Sequence, residues 1–220
     1  MRLWPSRKHI YLHDVAVLKA ERPADPSSPG APAPGFHVTE LTASQESQIL
    51  LLHQSMGHRL TSPRMEQRFR NGLRYLTFHD GDVLLGSSWV VIGGGRYVDE
   101  LNWYLPIGPT EFWLRDVFIV PALRGQGVFA SLVKLIALRR VPGCTAAWSD
   151  VDWVNGTSMR AHAKAGFKLH ARLRALDFDG RLRLRGPAPA WHEPVREIDP
   201  GKRLLWMHGT CLQRHQALLA

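Results

Sequence analysis

Alternating apolar and polar positions divide the first half of the chain into segments of helix and strand length. Thr42 and Ser44 are capping candidates at the start of one helix, and Asn71-Gly72 is a stop signal at the end of the next. Asp80-Gly81-Asp82 lies between two apolar runs, which is typical of a β-hairpin. The predicted elements are a strand at 37–41, helices at 44–57 and 63–71, and strands at 73–78 and 83–91.

The second half changes to an alternation of strands and helices, which favours parallel pairing of the strands. Its predicted elements are strands at 113–120 and 145–151, helices at 125–140 and 157–165, and a final hairpin at 168–178 and 181–185. Between the two halves, residues 97–105 are compatible with a strand or with a substrate-facing loop. The fold class predicted from both halves is α/β with a mixed sheet.

The two ends of the chain carry weaker patterns. Residues 23–35 combine Pro, Gly, Ala and Ser so densely that neither helix nor sheet propagates through them, so a linker is predicted. Residues 10–21 are expected to form a short strand or helix packed on the domain from outside. The predicted organisation is an N-terminal extension at 1–22, a linker at 23–35, one domain at 36–186 and a C-terminal extension at 187–220 with an edge strand at 203–208.

The net charge of the chain favours an anionic partner. The chain has 28 basic and 19 acidic residues and a formal net charge of +9. That balance fits nucleic acid, an anionic membrane surface, a phosphorylated cofactor or simple solubility. Because the basic residues are scattered rather than grouped in a block with aromatics between them, nucleic acid is the less favoured partner.

The cysteine content and the hydropathy of the chain further narrow the class of protein that the sequence can encode. Cys144 and Cys211 are the only cysteines, and their spacing indicates neither a disulfide framework nor a metal site. The N-terminus lacks a signal-type apolar run, and no stretch reaches the roughly 20 apolar residues that cross a bilayer. A soluble cytoplasmic protein with no metal and no membrane span is therefore expected.

The strongest chemical signal is a strand that stops at Pro121 and a helix that begins just after two glycines. A helix N-terminus offers unpaired backbone N–H groups and about half a positive charge. Gly125 and Gly127 let a pyrophosphate approach the backbone, and Arg124 adds fork-shaped donors. The simpler interpretation is a tight turn whose glycines serve backbone shape only. Walker A and dinucleotide-binding patterns both fail here, since neither GxxxxGK nor a third glycine is present.

Two blocks together resemble the acyl-CoA-binding core of the GNAT acetyltransferase superfamily. Arg124-Gly125-Gln126-Gly127 after Pro121 is similar to the family's pyrophosphate loop, and residues 155–167, NGTSMRAHAKAGF, are similar to its next block. The resemblance covers roughly residues 114–167. It implies a central mixed sheet flanked by helices and an N-acyltransferase that uses acetyl-CoA or another acyl-CoA without a metal.

The resemblance also assigns the cofactor contacts. The backbone of Phe118, Ile119 and Val120 would bind the pantetheine arm like an added strand. Asn155 would contact the pantetheine or cap its helix, and Ser158 would be an alternative proton donor or a packing residue. The residues that would hold the pyrophosphate are Arg124, Gly125, Gln126, Gly127, Val128 and Phe129. Phe129 departs from the family pattern, which usually has Gly or Ala at that place.

Catalytic roles follow from the needs of amide formation, which are an uncharged amine, a polarised carbonyl and a proton for the leaving sulfur. His162 stands where the family often has Tyr as the acid, and an imidazole can donate a proton near neutral pH. Asp116, expected on the same side of its strand as Phe118 and Val120, is chosen as the base, with Asp150 from the neighbouring strand as its alternative. Glu111, Asp99 and Glu100 are weaker candidates.

Several alternatives stay open at this point. The acceptor is a small-molecule or peptide amine, with its pocket expected around Trp103 and Tyr104 and the tail after residue 186. The donor is acetyl-CoA, a longer acyl-CoA or an acyl carrier protein docked on the basic surface. Two hypotheses from other functional classes are a non-catalytic acyl-CoA-binding module and a protein that acts on RNA or aminoacyl-tRNA. A homodimer is also left open.

Overall fold

A computed structural model describes residues 10–57, 60–98, 103–178, 181–184 and 203–206. The strands are β1 Ile10–Glu21, β2 Phe36–Leu41, β3 Arg74–Asp80, β4 Val83–Ile92, β5 Gly95–Val98, β6 Trp103–Pro106, β7 Glu111–Ile119, β8 Ala146–Asp152, β9 Lys168–Phe178, β10 Arg181–Leu184 and β11 Arg203–Trp206. The α-helices are α1 Glu46–Ser55, α2 Ser62–Arg70, α3 Val128–Arg140 and α4 Gly156–Lys164. None of the described helices has the length and apolar character needed to cross a bilayer.

Nine of the described strands form one mixed sheet in the order β11-β10-β9-β1-β8-β7-β4-β3-β2. Strands β7 and β8 are parallel, as the strand-helix alternation predicts, and β3–β4 and β9–β10 are antiparallel hairpins. Strands β5 and β6 pair separately, so the segment at 97–105 contributes to a small hairpin of its own. The prediction of a mixed α/β fold is confirmed.

The sheet has a hydrophobic core on each face because side chains alternate along its strands. Helices α1 and α2 and the β5–β6 hairpin cover one face, where Trp89 and Trp113 are fully buried. Helices α3 and α4 cover the other, where Phe112 and Leu114 are fully buried. Because Phe112, Trp113 and Leu114 are consecutive, strand β7 contributes to both cores.

The N-terminal segment differs from its prediction, because β1 is an interior strand rather than an element packed from outside. It pairs antiparallel with β8 on one side and β9 on the other, and Ala16 and Val17 are completely buried. A strand in the middle of a sheet needs apolar residues on both faces, which the run from Val15 to Leu18 supplies.

The Pro-rich segment at 23–35 also differs from the predicted linker, because it packs along α3. The Lys134 ammonium donates to the carbonyls of Pro26 and Ser28 at 3.2 and 2.9 Å. Lys134 is only 6% exposed, so this segment covers the side of α3 that faces away from the sheet. A helix covered on both sides is buried around most of its circumference, which explains why its apolar residues form no single stripe.

Other predictions fall wholly or partly outside the described residues. The turn Asp179-Gly180 and the candidates Asp99 and Glu100 lie there, as do residues 1–9, 185–202 and 207–220. Of the predicted edge strand at 203–208, residues 203–206 are described and form β11, which pairs parallel with β10 at one edge of the sheet.

Gly30→Ala is expected to destabilise the protein more than Gly143→Ala. Both positions have positive φ, +88° and +66°, so both substitutions incur the left-handed backbone cost of about 1–2 kcal/mol. A Cβ at residue 30 would also overlap the backbone of Ala130, whereas one at residue 143 would meet nothing within 4 Å. Overpacking should add about 1–3 kcal/mol for Gly30→Ala in urea denaturation. A solvated linker at 23–35 would instead make the two costs equal.

Candidate active site

The candidate site begins where β7 and β8 separate. Their parallel ladder runs only from the Glu111–Ala146 pair to the Leu114–Ser149 pair, although β7 continues to Ile119 and β8 to Asp152. Beyond that point each strand pairs only with its outer neighbour, β7 with β4 and β8 with β1. The inner edge of β7 is therefore open toward a gap between two strands of the same sheet.

A β-bulge in β7 lies at the start of this gap. Ser87 faces Phe118 and Trp89 faces Arg115, so Ser88 alone opposes two residues of β7. One of these is Asp116, which has a φ of +49°, a left-handed conformation that Asp tolerates better than most residues. The expected alternation that placed Asp116 beside Phe118 and Val120 is therefore broken at this residue.

Asp116 is held by arginines. The Arg68 Nη2 atom of α2 lies 2.7 Å from its Oδ2, and the Arg115 Nε atom lies 3.8 Å from the same oxygen. Burial by itself would raise the pKa of the Asp116 carboxyl, but the charges of Arg68 and Arg115 lower it below its ordinary value. A carboxylate stabilised in this way is a weak proton acceptor, so its geometry favours support of the bulge over the predicted role of base.

The predicted phosphate loop follows β7 directly. A short turn at Pro121–Leu123 leads through Gly125 to Gly127, which has φ +82° and is the N-cap of α3. The amides of residues 127–130 have no backbone acceptor within the described part of the chain. Four donors at one helix end, next to the open edge of β7, form a site suited to a phosphate anion.

Some of the groups predicted to contact a cofactor have partners within the protein. The Arg124 Nε atom donates to the Ile119 carbonyl at 3.1 Å, and its guanidinium lies over the Phe118 ring. The Gln126 side chain donates to the Ala122 carbonyl at 2.9 Å, and the Val120 amide donates to Leu85 at 3.0 Å. The Arg124 side chain is exposed beside the helix end.

Comparison with known proteins gives likeness at the level of structure only. No protein-family profile matches the sequence, and no curated protein matches it. Among solved structures, a GNAT-family acetyltransferase from Colwellia psychrerythraea aligns with a TM-score of 0.50 and 12% identity, over 77% of this chain and 57% of that one. A conserved protein of unknown function from Staphylococcus epidermidis aligns with a TM-score of 0.52 and 7% identity, over 77% of this chain and 63% of that one.

A GCN5-related N-acetyltransferase from Kribbella flavida aligns less well, with a TM-score of 0.46 and 16% identity, over 79% of this chain and 63% of that one. The chain thus spans less than two thirds of the length of each of these three proteins. At this identity the C. psychrerythraea alignment shows a shared fold.

The chain has the GNAT fold.

Within the GNAT fold, His162 is enclosed rather than open to the gap. His162 is 5% exposed, and the centroid of its ring lies 4.5 Å from that of Phe129 and 5.1 Å from that of Phe167. Its Nδ1 lies 2.8 Å from the Ser158 carbonyl and its Nε2 lies 2.9 Å from the Ser149 hydroxyl. Burial lowers the pKa of His162, against smaller opposing effects of the Ser158 carbonyl and of Asp150. A neutral, fully bonded imidazole is not placed to protonate a sulfur by itself.

Phe129 and Asn155 take local structural roles. The phenyl ring packs between α3 and α4 against His162 and Phe167, which directs it away from the loop of free amides. The Asn155 side chain accepts a hydrogen bond from the Ser158 amide at 3.0 Å and caps α4. Capping is one of the two roles expected for Asn155, and contact with pantetheine stays a prediction.

Asp150 is the first residue of β8 beyond the ladder. The indole Nε1 of Trp113 donates to its Oδ1 at 2.6 Å, and the Arg96 Nε atom lies 3.4 Å from the same oxygen. Glu111, in contrast, lies at the opposite end of β7, where it accepts from Trp148 Nε1 and the Gly108 amide. Of these two carboxylates, only Asp150 borders the gap.

Sequence reasoning missed Ser149, Arg96 and Arg68. Ser149 is the last residue of β8 that pairs with β7, and it is 2% exposed. Its signal was present, because it is the one hydroxyl in the buried run from Ala146 to Val151. The two arginines come from elements far away in the sequence, so no local pattern connects them with the site.

Asp116→Asn is expected to lower the free energy of unfolding at pH 7 by about 1 kcal/mol, because solvent screens a carboxylate that is over a third exposed. Asn tolerates positive φ, so the substitution removes the charge without changing the backbone conformation. The pKa of Asp116 is lowered in the folded state, so its stabilising effect is present above about pH 3.9 and is lost as the pH falls through the folded value. Urea denaturation from pH 7 to pH 3 should show the difference in stability shrink as the pH falls below about 3.9.

The matched control is Asp82→Asn, since Asp82 is exposed in the β3–β4 turn. That substitution should leave stability nearly unchanged at every pH. If Asp116→Asn leaves stability unchanged but greatly reduces turnover, the structural role is contradicted and the prediction that Asp116 is the base is supported instead.

Proposed function

We propose that the protein is an acyl-CoA-dependent N-acyltransferase that transfers the acyl group directly to an amine, with acetyl-CoA as the first donor to test. One observation carries this proposal: the free amides at the start of α3 adjoin the open inner edge of β7. A diphosphate and a flexible amide-containing arm need these two features side by side. The GNAT fold of the C. psychrerythraea acetyltransferase supports the same class.

The chain's own residues suit the parts of an acyl-CoA. The amides of residues 127–130 and the exposed Arg124 would hold the diphosphate, since both stabilise negative charge. The open edge of β7 between Asp116 and Ile119 would pair with the pantetheine amides as an added strand does. The thioester would then lie in the gap between β7 and β8.

Asp150 replaces Asp116 as the carboxylate proposed to meet the acceptor. Its Oδ1 is fixed by Trp113 and Arg96, and its side chain is 19% exposed at the border of the gap. A fixed carboxylate there would attract a substrate ammonium, orient it and accept its proton through water. The face carrying Asp150 also carries the β5–β6 hairpin, where the acceptor pocket was expected.

Arg124→Ala is expected to weaken CoA binding about tenfold or more, because a charge-assisted bond to phosphate contributes about 1.5–3 kcal/mol. Isothermal titration should show the loss for CoA but not for pantetheine, which lacks the diphosphate. Arg139→Ala is the charge-matched control, since Arg139 is exposed at the other end of α3.

Equal losses in both variants would indicate attraction by net charge rather than a phosphate site. Failure of the unmodified protein to bind CoA at millimolar concentration would overturn the proposed function. Binding of acetyl-CoA with no transfer to any amine would instead support a non-catalytic acyl-CoA-binding module.

Asp150→Asn is expected to lower kcat/KM for an ammonium acceptor by about 10²-fold or more, with acetyl-CoA affinity unchanged. The acceptor would be chosen from a panel of an aminoglycoside, a polyamine, an amino acid and a lysine peptide. Since Trp113 can still donate to the amide oxygen of Asn, the variant tests charge at nearly constant shape. Unchanged kcat/KM would exclude Asp150 from the reaction.

A further inference from the structure

A buried serine and histidine form a hydrogen-bonded pair at the narrow end of the gap. The Ser149 hydroxyl and His162 Nε2 are 2.9 Å apart, and the two residues are 2% and 5% exposed. Ser149 belongs to the last rung of the β7–β8 ladder, opposite Leu114. Any group lying in the gap therefore meets this rung at its closed end.

The hydrogen-bond partners fix the tautomer of His162. Nδ1 lies 2.8 Å from the Ser158 carbonyl, which only accepts, so Nδ1 carries the proton of the neutral ring. Nε2 is then an acceptor, and the Ser149 hydroxyl donates to it. A serine oxygen that donates one bond keeps two lone pairs, and no second partner for it is found among the described residues.

The pair therefore differs from an ordinary buried hydrogen bond in having an unused acceptor beside the gap. His162 cannot reach the gap directly, because Phe129 and Phe167 pack against its ring and Ser149 covers Nε2. A proton can reach or leave Nε2 only through the serine oxygen.

We propose that Ser149 is a catalytic proton relay and that His162 acts through it as a positioning residue that stores the proton. The inference rests on the proposed acyl transfer. As the amine nitrogen bonds to the thioester carbon, its N–H proton passes to the Ser149 oxygen while the serine proton passes to Nε2. As the C–S bond breaks, the imidazolium returns its proton through Ser149 to the sulfur. The products are an amide and free CoA, and no other reactant is required.

Steady-state kinetics with acetyl-CoA and hydroxylamine test the relay. Hydroxylamine is small and largely uncharged at pH 8, so it needs neither a specific acceptor pocket nor Asp150 to remove a proton. Free CoA is quantified by chromatography, which avoids thiol reagents. Ser149→Ala is expected to lower kcat about 10²- to 10⁴-fold with unchanged affinity for acetyl-CoA, and Ser149→Thr to restore most of the rate because it retains a hydroxyl.

His162→Gln keeps a polar side chain but cannot store a proton, so its kcat should fall to a similar level. The double variant should be no slower than either single variant, since both act in one relay. Ser131→Ala is the control, because Ser131 is also a buried serine, on α3. Thermal unfolding and acetyl-CoA titration of every variant separate loss of folding from loss of relay.

The outcomes distinguish this inference from the function on which it rests. Ser149→Ala that is folded, binds acetyl-CoA and keeps its kcat overturns the relay and leaves acyl transfer standing. Additive losses in the double variant overturn it as well, because independent effects do not share a relay. If the unmodified chain binds acetyl-CoA but releases no CoA above the uncatalysed rate, the relay is overturned and the result supports a non-catalytic binding module. Failure to bind acetyl-CoA overturns both.

Discussion

The candidate site depends on one ion pair at an unusual backbone position. Asp116 has a φ of +49°, and Arg68 lies 2.7 Å from its carboxylate. The bulge at this residue changes the direction of β7 just after Leu114, the last residue that pairs with β8. An uninterrupted β7 could continue its ladder to the end of β8 and leave no backbone edge for a ligand.

Segments distant in sequence hold the gap from its other sides. Strand β1 pairs with β8 from Ala146 to Asp152, so β8 stays fixed in the sheet where β7 separates from β8. The segment at 22–35 leaves β1 and lies along α3, fixed by Lys134. Since α3 provides the free amides, residues 10–35 stabilise both the strand and the helix that border the site.

The local parts of this arrangement could be predicted from the sequence. The β3–β4 hairpin and the order β7, α3, β8, α4 depend on turn residues and apolar spacing within short windows. The phosphate loop was recognisable for the same reason, since Pro121, Gly125 and Gly127 lie within seven residues.

The remaining parts depend on contacts that no local pattern encodes. A Pro-rich composition excludes helix and sheet at 23–35, but it does not reveal that Lys134 binds the carbonyls of this segment. The pattern at 10–21 does not reveal that this strand lies inside the sheet, where even the ammonium of Lys19 lies 4.9 Å from the centre of the Trp148 ring. The bulge at Asp116 was not predicted, because the side chains of β7 were expected to alternate strictly between the two faces of the sheet.

Alternation along β8 gives the two sides of the gap different chemistry. Successive residues of a strand point to opposite faces, so Ser149 meets His162 beneath α4 while Asp150 meets Trp113 and Arg96 on the other face. The charge of Asp150 favours protonation of His162, but burial has the larger effect and lowers the pKa of the imidazole. His162 is therefore neutral at rest near pH 7, and any proton that it returns to a leaving group has to come from the reaction itself.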